Sequence, residues 1–319
     1  MTPGPRGREA PSVVALGGGH GLAASLQALR RVTPRLTAVV TVADDGGSSG
    51  RLRAEFDILP PGDLRMALAA LCGDHSDGQA WADVLQSRFQ GDGPLGGHAI
   101  GNLLIAGVWQ SLGDPVAGLD MVGRLLEVQG RVLPMAAVPL AIEADVFGVD
   151  PTRPDETTLV RGQATVAVTR GTIREVRLVP EAPPACRETL EAVRAADVVV
   201  VGPGSWYTSV IPHLLVPELA EALVGTQARR ILTLNVVPAH ETAGFDASTH
   251  LEVLADHAPG LRFDAIVCDP AFAAGDRHLE RYATALGASL VVQPVRARDG
   301  SPRHDVLRLA SVYADLMAR

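Results

Sequence analysis

The stretch SVVALGGGHGLAASLQALR, Ser12 to Arg30, decides the fold. An apolar run ends in a glycine cluster, and apolar residues then recur at helical spacing. A continuous apolar run closed by glycine reads as a strand buried on both faces. LTAVVTV, Leu36 to Val42, is a second run of the same kind. Strand, glycine turn, helix, strand is the opening of a doubly wound parallel sheet.

The pattern returns late in the chain. DVVVVGPGSWYTS (Asp197–Ser209) gives a strand and a Gly/Pro/Ser turn. RILTLNV, FDAIVCD and ASLVVQPV add strands, separated by helical stretches at 215–224, 247–256 and 277–286, and a last helix spans 304–316. Between the halves, Asp74 to Arg131 reads as mostly helical. Met135–Asp145 and Thr157–Val168 read as strands. Gly171, between ATVAVTR and TIREVRLVP, marks a hairpin. The expected fold is α/β: a Rossmann-like three-layer α/β/α sandwich with a mostly parallel sheet, a helical insertion over about 74–131 and an antiparallel hairpin. Residues 1–11 read as a flexible Pro/Gly/Arg tail, and 12–319 as one domain.

Composition narrows the function classes. The chain has 319 residues, 47% of them hydrophobic but only 4% aromatic, so the core must be aliphatic. A formal net charge of −8 argues against non-specific nucleic-acid binding, though not against one nucleotide in a local pocket. There is no lysine, so every fixed side-chain cation is arginine. Cys72, Cys186 and Cys268 form no CxxC pair, and neither a disulfide framework nor a zinc knuckle follows from them. No signal peptide or membrane-length apolar run is present, so the expectation is a cytoplasmic protein without membrane insertion. Oligomeric state is not readable from the sequence.

Candidate site residues cluster where strands end. Gly17, Gly18, Gly19 and Gly21 follow the first strand. There they free backbone N–H groups at a helix start, which is an anion site. Read from Gly19, the motif with Gly21 and Ala24 satisfies the relaxed dinucleotide pattern, and Asp44 then stands where a ribose acid would. After the second strand comes ADDGGSSGRLR. Asp44 and Asp45 suit Mg²⁺ or the donors of a ribose or base. Gly46, Gly47, Ser48 and Ser49 suit phosphate oxygens, and Arg53 suits phosphate charge. Replacing Asp45 with asparagine is expected to weaken ligand binding. Asp63 in PPGDLR either caps a helix or joins the site. Asn102, four residues after His98, either meets a ligand or bonds a loop. Gly202, Gly204, Ser205 and Thr208 form a second glycine loop able to face the first. Trp206 and Tyr207 either stack on a base or pack beneath that loop. Asn235 ends a strand, with His240, Glu241 and Thr242 on the loop behind it. Tyr282 lies in a helix, and Arg303 opens the last one. Motifs for covalent acyl chemistry or P-loop hydrolysis are absent.

Taken in order, ALGGGHGL, VTVADDGGSSGRLR, LPPGDLR, GHAIGNLL, VVGPGSWYTSVIPHLLV, ETAGFDASTH and RHD resemble the gluconeogenesis factor family of bacteria over residues 12–318. That family is part of a wider set containing 2-phospho-L-lactate transferase. The resemblance implies a Rossmann-like fold that binds a UDP-sugar such as UDP-N-acetylglucosamine. It also implies ties to central carbon metabolism, cell-wall growth and cell shape, and protein partners in those processes. The family's loops map onto Gly17, Gly18, Gly19 and Gly21, and onto Gly202, Gly204, Ser205, Tyr207 and Thr208; its sugar-contacting tyrosine and arginine map onto Tyr282 and Arg303. The transferase branch implies an alternative, a Mg²⁺-dependent nucleotide-using enzyme with the metal on Asp44 and Asp45. Since no general base with an orienting partner is visible, a non-catalytic nucleotide-sugar-binding regulator is the expectation. His20 and the segment VVPAHETAG after Asn235 depart from the family pattern, which bears on the sugar more than on the fold.

Overall fold

The computed structural model of the chain describes residues 10–150, 152–153 and 155–318. Its strands are β1 (Val13–Gly17), β2 (Leu36–Val40), β3 (Arg131–Pro134), β4 (Ala141–Phe147), β5 (Thr157–Arg161), β6 (Thr172–Val179), β7 (Val198–Val201), β8 (Arg229–Thr233), β9 (Ala265–Cys268) and β10 (Ser289–Val292). Seven of them form one sheet in the order β10-β9-β8-β7-β1-β2-β3. Every pairing in it is parallel. The chain winds outward from β1 through β2 to β3, then returns to β7 on the other side of β1. The reversal leaves a crevice between β1 and β7, where ligands bind in folds of this class.

The central strands are buried along their whole length, as sequences apolar on both faces require. Helices α1 (Gly19–Leu29), α2 (Gly47–Phe56), α3 (Pro61–Leu71), α4 (Ser76–Gln86), α5 (Ile100–Leu112) and α6 (Pro115–Leu125) follow β1 and β2. The last three lie within the stretch expected to be helical. The C-terminal helix Val306–Ala318 packs on α1. A buried polar chain ties these layers: Ser25 Oγ lies 2.8 Å from Tyr313 Oη, which lies 2.9 Å from Thr233 Oγ1. Stranding one of these hydroxyls would cost about 1–3 kcal/mol, so the chain specifies how α1, β8 and the last helix dock.

Several sequence expectations are corrected. The GGSSGRLR segment, given no secondary structure above, is helix α2 from Gly47 onward. Of the expected Met135–Asp145 strand only the part from Ala141 is strand, as the start of β4; β3 ends before it, at Pro134. No hairpin joins ATVAVTR to TIREVRLVP. Gln163–Val166 is a helical turn, and β6 pairs instead with β4, antiparallel, in a separate sheet of order β5-β4-β6. The cause is local. Gly162 takes φ +93, and Asp45 Oδ1 accepts from Ala164 N at 2.9 Å, which starts the turn. Of the expected tail, residues 1–9 lie outside the described residues. The carbonyls of Ala10 and Pro11 accept from Arg35 Nη1 and Thr33 Oγ1.

Candidate functional site

The two glycine loops meet at the crevice. Gly17 and Gly18 are buried, and Gly19, at φ +56, turns the chain from β1 into α1. Gly18, the N-cap of α1, has no side chain to cap the helix; Asp63 takes the Gly19 N–H, and the amides that follow are left to a ligand or to water. A Cβ on Gly21 would stand 2.4 Å from Pro203 O and 2.6 Å from Gly204 Cα. Glycine at 21 therefore lets the second loop lie directly on the first. Gly202, at φ +71, makes the turn after β7. Asn235 then pins the loop, its Oδ1 accepting from Gly204 N at 3.0 Å and its Nδ2 donating to Gly204 O at 2.8 Å.

A cleft of about 640 Å³ opens along this contact. His20, Gly21, Met66, Gln86, Ser205, Asn235 and Arg303 are among the residues that line it. His20 is exposed at the rim.

An acid pair flanks the first loop, but not the pair adjacent in sequence. Asp44 Oδ1 accepts from Gly46 N at 2.9 Å. Its Oδ2 lies 2.7 Å from where a Gly62 Cβ would be, and Ser49 Oγ lies 2.4 Å from the same point. Asp45 is exposed and turned toward Ala164. The second carboxylate of the site is Asp63. It does not cap α3, whose N-cap is Pro60. It leans instead on the Gly19 N–H and crowds Gly18, where a Cβ would stand 2.6 Å from Oδ2. Burial pushes the Asp63 carboxyl up to about 7, and the nearby Asp44 charge pushes the same way. Two carboxylates in mutual repulsion fit a divalent cation or a ribose diol, either of which relieves that repulsion. If a metal binds here, the residues to hold it are Asp44 and Asp63. Among the described residues no group of three or more His, Cys, Asp or Glu side chains is placed to hold a metal.

Beneath the pair lies a buried polar knot. Ser48 Oγ accepts from Ala99 N at 3.3 Å and from Asn102 Nδ2 at 3.0 Å. Both lone pairs are then used, so its proton goes to His98 Nδ1 at 3.0 Å. His98 is therefore the neutral Nε2–H tautomer. Burial pushes its pKa down, and the Arg51 guanidinium adds to the effect. Asn102 Oδ1 is buried with no partner, an acceptor open to a donor in the site.

A family model described as "2-phospho-L-lactate transferase CofD" matches residues 13–301. Proteins named "Putative gluconeogenesis factor" from two strains of Mycobacterium tuberculosis are 56% identical over 311 residues, spanning 96% of this chain and 90% of theirs. The chain belongs to the gluconeogenesis factor family. The gluconeogenesis factor of Bacillus subtilis is 37% identical over 77% of this chain and 75% of its own. The crystal structure of a UPF0052 family member from Bacillus halodurans superposes with a TM-score of 0.83 at 35% identity. It covers 96% of this chain and 99% of that one.

Within this member of the gluconeogenesis factor family, the predicted residues separate into two groups. The glycine loops, Ser205, Asn235 and Arg303 border the cleft, and Asp63, with Asp44 near it, lies against the first loop at Gly18 and Gly19. The Arg303 side chain is 72% exposed and tethered to Asp299 at 3.3 Å. Ser48, Ser49 and Asn102 lie just below. Other predicted residues are engaged structurally. Arg53 donates to Leu140 O and so joins α2 to the segment before β4. Tyr207 and Thr208 are buried beneath the second loop, where Tyr207 N and Thr208 Oγ1 donate to Glu241 at 2.8 and 3.0 Å. Burial pushes that carboxyl up to about 7. Trp206 packs edge-on to His250 at 5.1 Å. Tyr282 bonds Glu252 at 2.8 Å and does not line the cleft. The sequence reading missed Met66 and Gln86, because their sides of α3 and α4 carry no motif.

Proposed function

We propose that the chain binds a nucleotide sugar, UDP-N-acetylglucosamine or a similar UDP-sugar, in the crevice between its glycine loops. The carrying observation is the contact of those loops at the β1–β7 switch point, beside the start of α1. A diphosphate fits there, against backbone N–H groups and the positive end of the helix dipole. Asp44 and Asp63 offer acceptors for ribose hydroxyls. Ser205, Asn235 and Arg303 line the cleft, where the sugar would lie. Family membership supports a role as a regulator, and the resemblance points to central carbon metabolism, wall synthesis and cell shape.

The Asp44–Asp63 pair favours a second reading, a Mg²⁺-dependent nucleotide-using transferase. In that case the two carboxylates hold the ion, and the ion offsets diphosphate charge. His98 is an unsuitable base in this arrangement, since Nδ1 is occupied by Ser48 and burial disfavours its charged form.

Calorimetric titration with UDP-N-acetylglucosamine, UDP-glucose, UDP and GDP, each with and without Mg²⁺, separates the readings. Tight UDP-sugar binding with the sugar recovered intact supports the regulator. Strict Mg²⁺ dependence with GDP preferred supports the transferase. No binding of any nucleotide rejects both.

A further inference from the structure

Arg65 is a buried cation on which the charges of Asp63 and Asp44 act from beyond ion-pair distance. It is 6% exposed, and among the described residues no carboxylate lies within ion-pair distance. Its stem is fixed by packing, since a Cβ on Gly101 would stand 2.8 Å from Arg65 Cγ. Its Nη1 donates to Leu85 O at 3.4 Å and to Gln86 Oε1. A buried charge is costly unless it is compensated or serves a purpose.

The contact with Gln86 fixes a chemical polarity. A guanidinium has donors and no acceptor, so the amide atom facing it must be oxygen. The Gln86 Nε2 group, with two donors, then points away from Arg65. Gln86 is exposed and lines the cleft, with Met66 beside it. Arg65 thus turns a side chain that could present either end into one that presents hydrogen-bond donors.

The fold says which part of a nucleotide meets them. In doubly wound sheets the acid after the second strand binds the ribose, and the base lies beyond it. Here that acid is Asp44. The helix packed on β2 and β3 is α3, which carries Met66, and α4 with Gln86 packs on α3. Met66 offers an apolar face for a flat ring, and Gln86 offers donors to its edge.

We propose that Gln86, oriented by Arg65, reads the carbonyl oxygen on the outer edge of a keto nucleobase, O4 of uracil or O6 of guanine. Amino bases meet it donor to donor. Gln86 is the specificity-determining contact and Arg65 a positioning residue. The inference rests on nucleotide binding in the crevice.

The test is titration with UDP, CDP, GDP and ADP of the full chain and three variants. The full chain should favour UDP over CDP, and GDP over ADP, by about tenfold, the effect of one hydrogen bond exchanged for a clash. Gln86→Leu should weaken UDP toward the affinity of CDP. Gln86→Glu keeps one oxygen for Arg65 and presents the other as an acceptor, so it should reverse the UDP/CDP preference. Arg65→Met frees the amide to turn and should narrow the UDP/CDP ratio, whereas a merely structural role would weaken both nucleotides alike. Gln86 is exposed, so its variants keep the test valid if Arg65→Met fails to fold. Equal affinity of the full chain for keto and amino bases overturns the inference, as does a ratio unchanged in both Gln86 variants. If no nucleotide binds at all, the functional reading fails and this inference with it.

Discussion

Gly18 and Asp63 stand so close that a Cβ on the glycine would lie 2.6 Å from the carboxylate Oδ2. The backbone at Gly18 is extended, at φ −157, so nothing in its conformation demands glycine. Space demands it: Thr41 Cγ2, at 2.6 Å, and Ser209 Oγ, at 3.1 Å, crowd the same point. The phosphate-facing loop and the acid site are therefore packed as one unit.

Gly18→Ala should consequently damage both. The added methyl must displace Asp63 or lift the loop off β2, and overpacking of this kind costs about 1–3 kcal/mol. We expect a lowered melting temperature and at least tenfold weaker UDP-sugar binding. A variant that melts and binds like the parent would show that the loop and acid are not coupled.

Asp63 also predicts a pH dependence. Its folded pKa, about 7, lies above its ordinary value of 3.8. Between those values the folded protein holds a proton that the unfolded chain has released, so the group makes stability fall as pH rises from about 4 to 7. Glu241, also raised to about 7, acts in the same direction. Asp63→Asn removes only the first contribution. Melting temperatures measured from pH 5 to 8 should therefore fall less steeply in the variant. Parallel curves would mean that Asp63 titrates normally in the fold.

Much of the parallel sheet was legible because its strands are unbroken apolar runs closed by glycine. Both glycine loops were legible for the same reason. Side-chain direction was not. Asp44 and Asp45 are neighbours in sequence and read as a pair, yet Asp44 accepts from Gly46 N while Asp45 accepts from Ala164 N, far along the chain. Tyr207 and Thr208 match a family loop, but whether such residues face a ligand or a buried Glu241 depends on long-range packing. The β4–β6 sheet was misread because Gly171 resembles a hairpin signal, while the partner of β6 lies earlier in the chain. Gln86 acquires meaning only from a guanidinium on another helix, and no local spacing encodes that.

The split of the acids gives a paired test. Asp44→Asn removes charge beside Asp63 and should weaken ligand binding by tenfold or so, a charge-assisted hydrogen bond being worth about 1.5–3 kcal/mol. The same change lowers the pKa of Asp63, because one source of repulsion is gone. Asp45→Asn keeps an oxygen for Ala164 N and should leave affinity within about twofold, as surface changes usually do. Calorimetry on the two variants decides it. Equal losses would return Asp45 to the ligand site.

Asn235 is best understood through Gly204. Both polar ends of its amide are taken up by one peptide unit, with the Gly204 N–H and C=O bonded at 3.0 and 2.8 Å. It therefore shapes the second glycine loop even though it also borders the cleft. Asn235→Asp preserves the acceptor and removes the donor, setting a carboxylate oxygen against Gly204 O. The unmade bond and the repulsion together should cost about 1–3 kcal/mol of stability. Because Gly204 lies on Gly21, the loop contact loosens, and UDP-sugar affinity should fall along with the melting temperature. Asn235→Ala should lower both as well, but without the repulsion, so the aspartate variant should lose more than the alanine variant at neutral pH, where the carboxylate is charged. If Asn235 were only a ligand contact, either change would reduce affinity and leave the melting temperature of the free protein where it was.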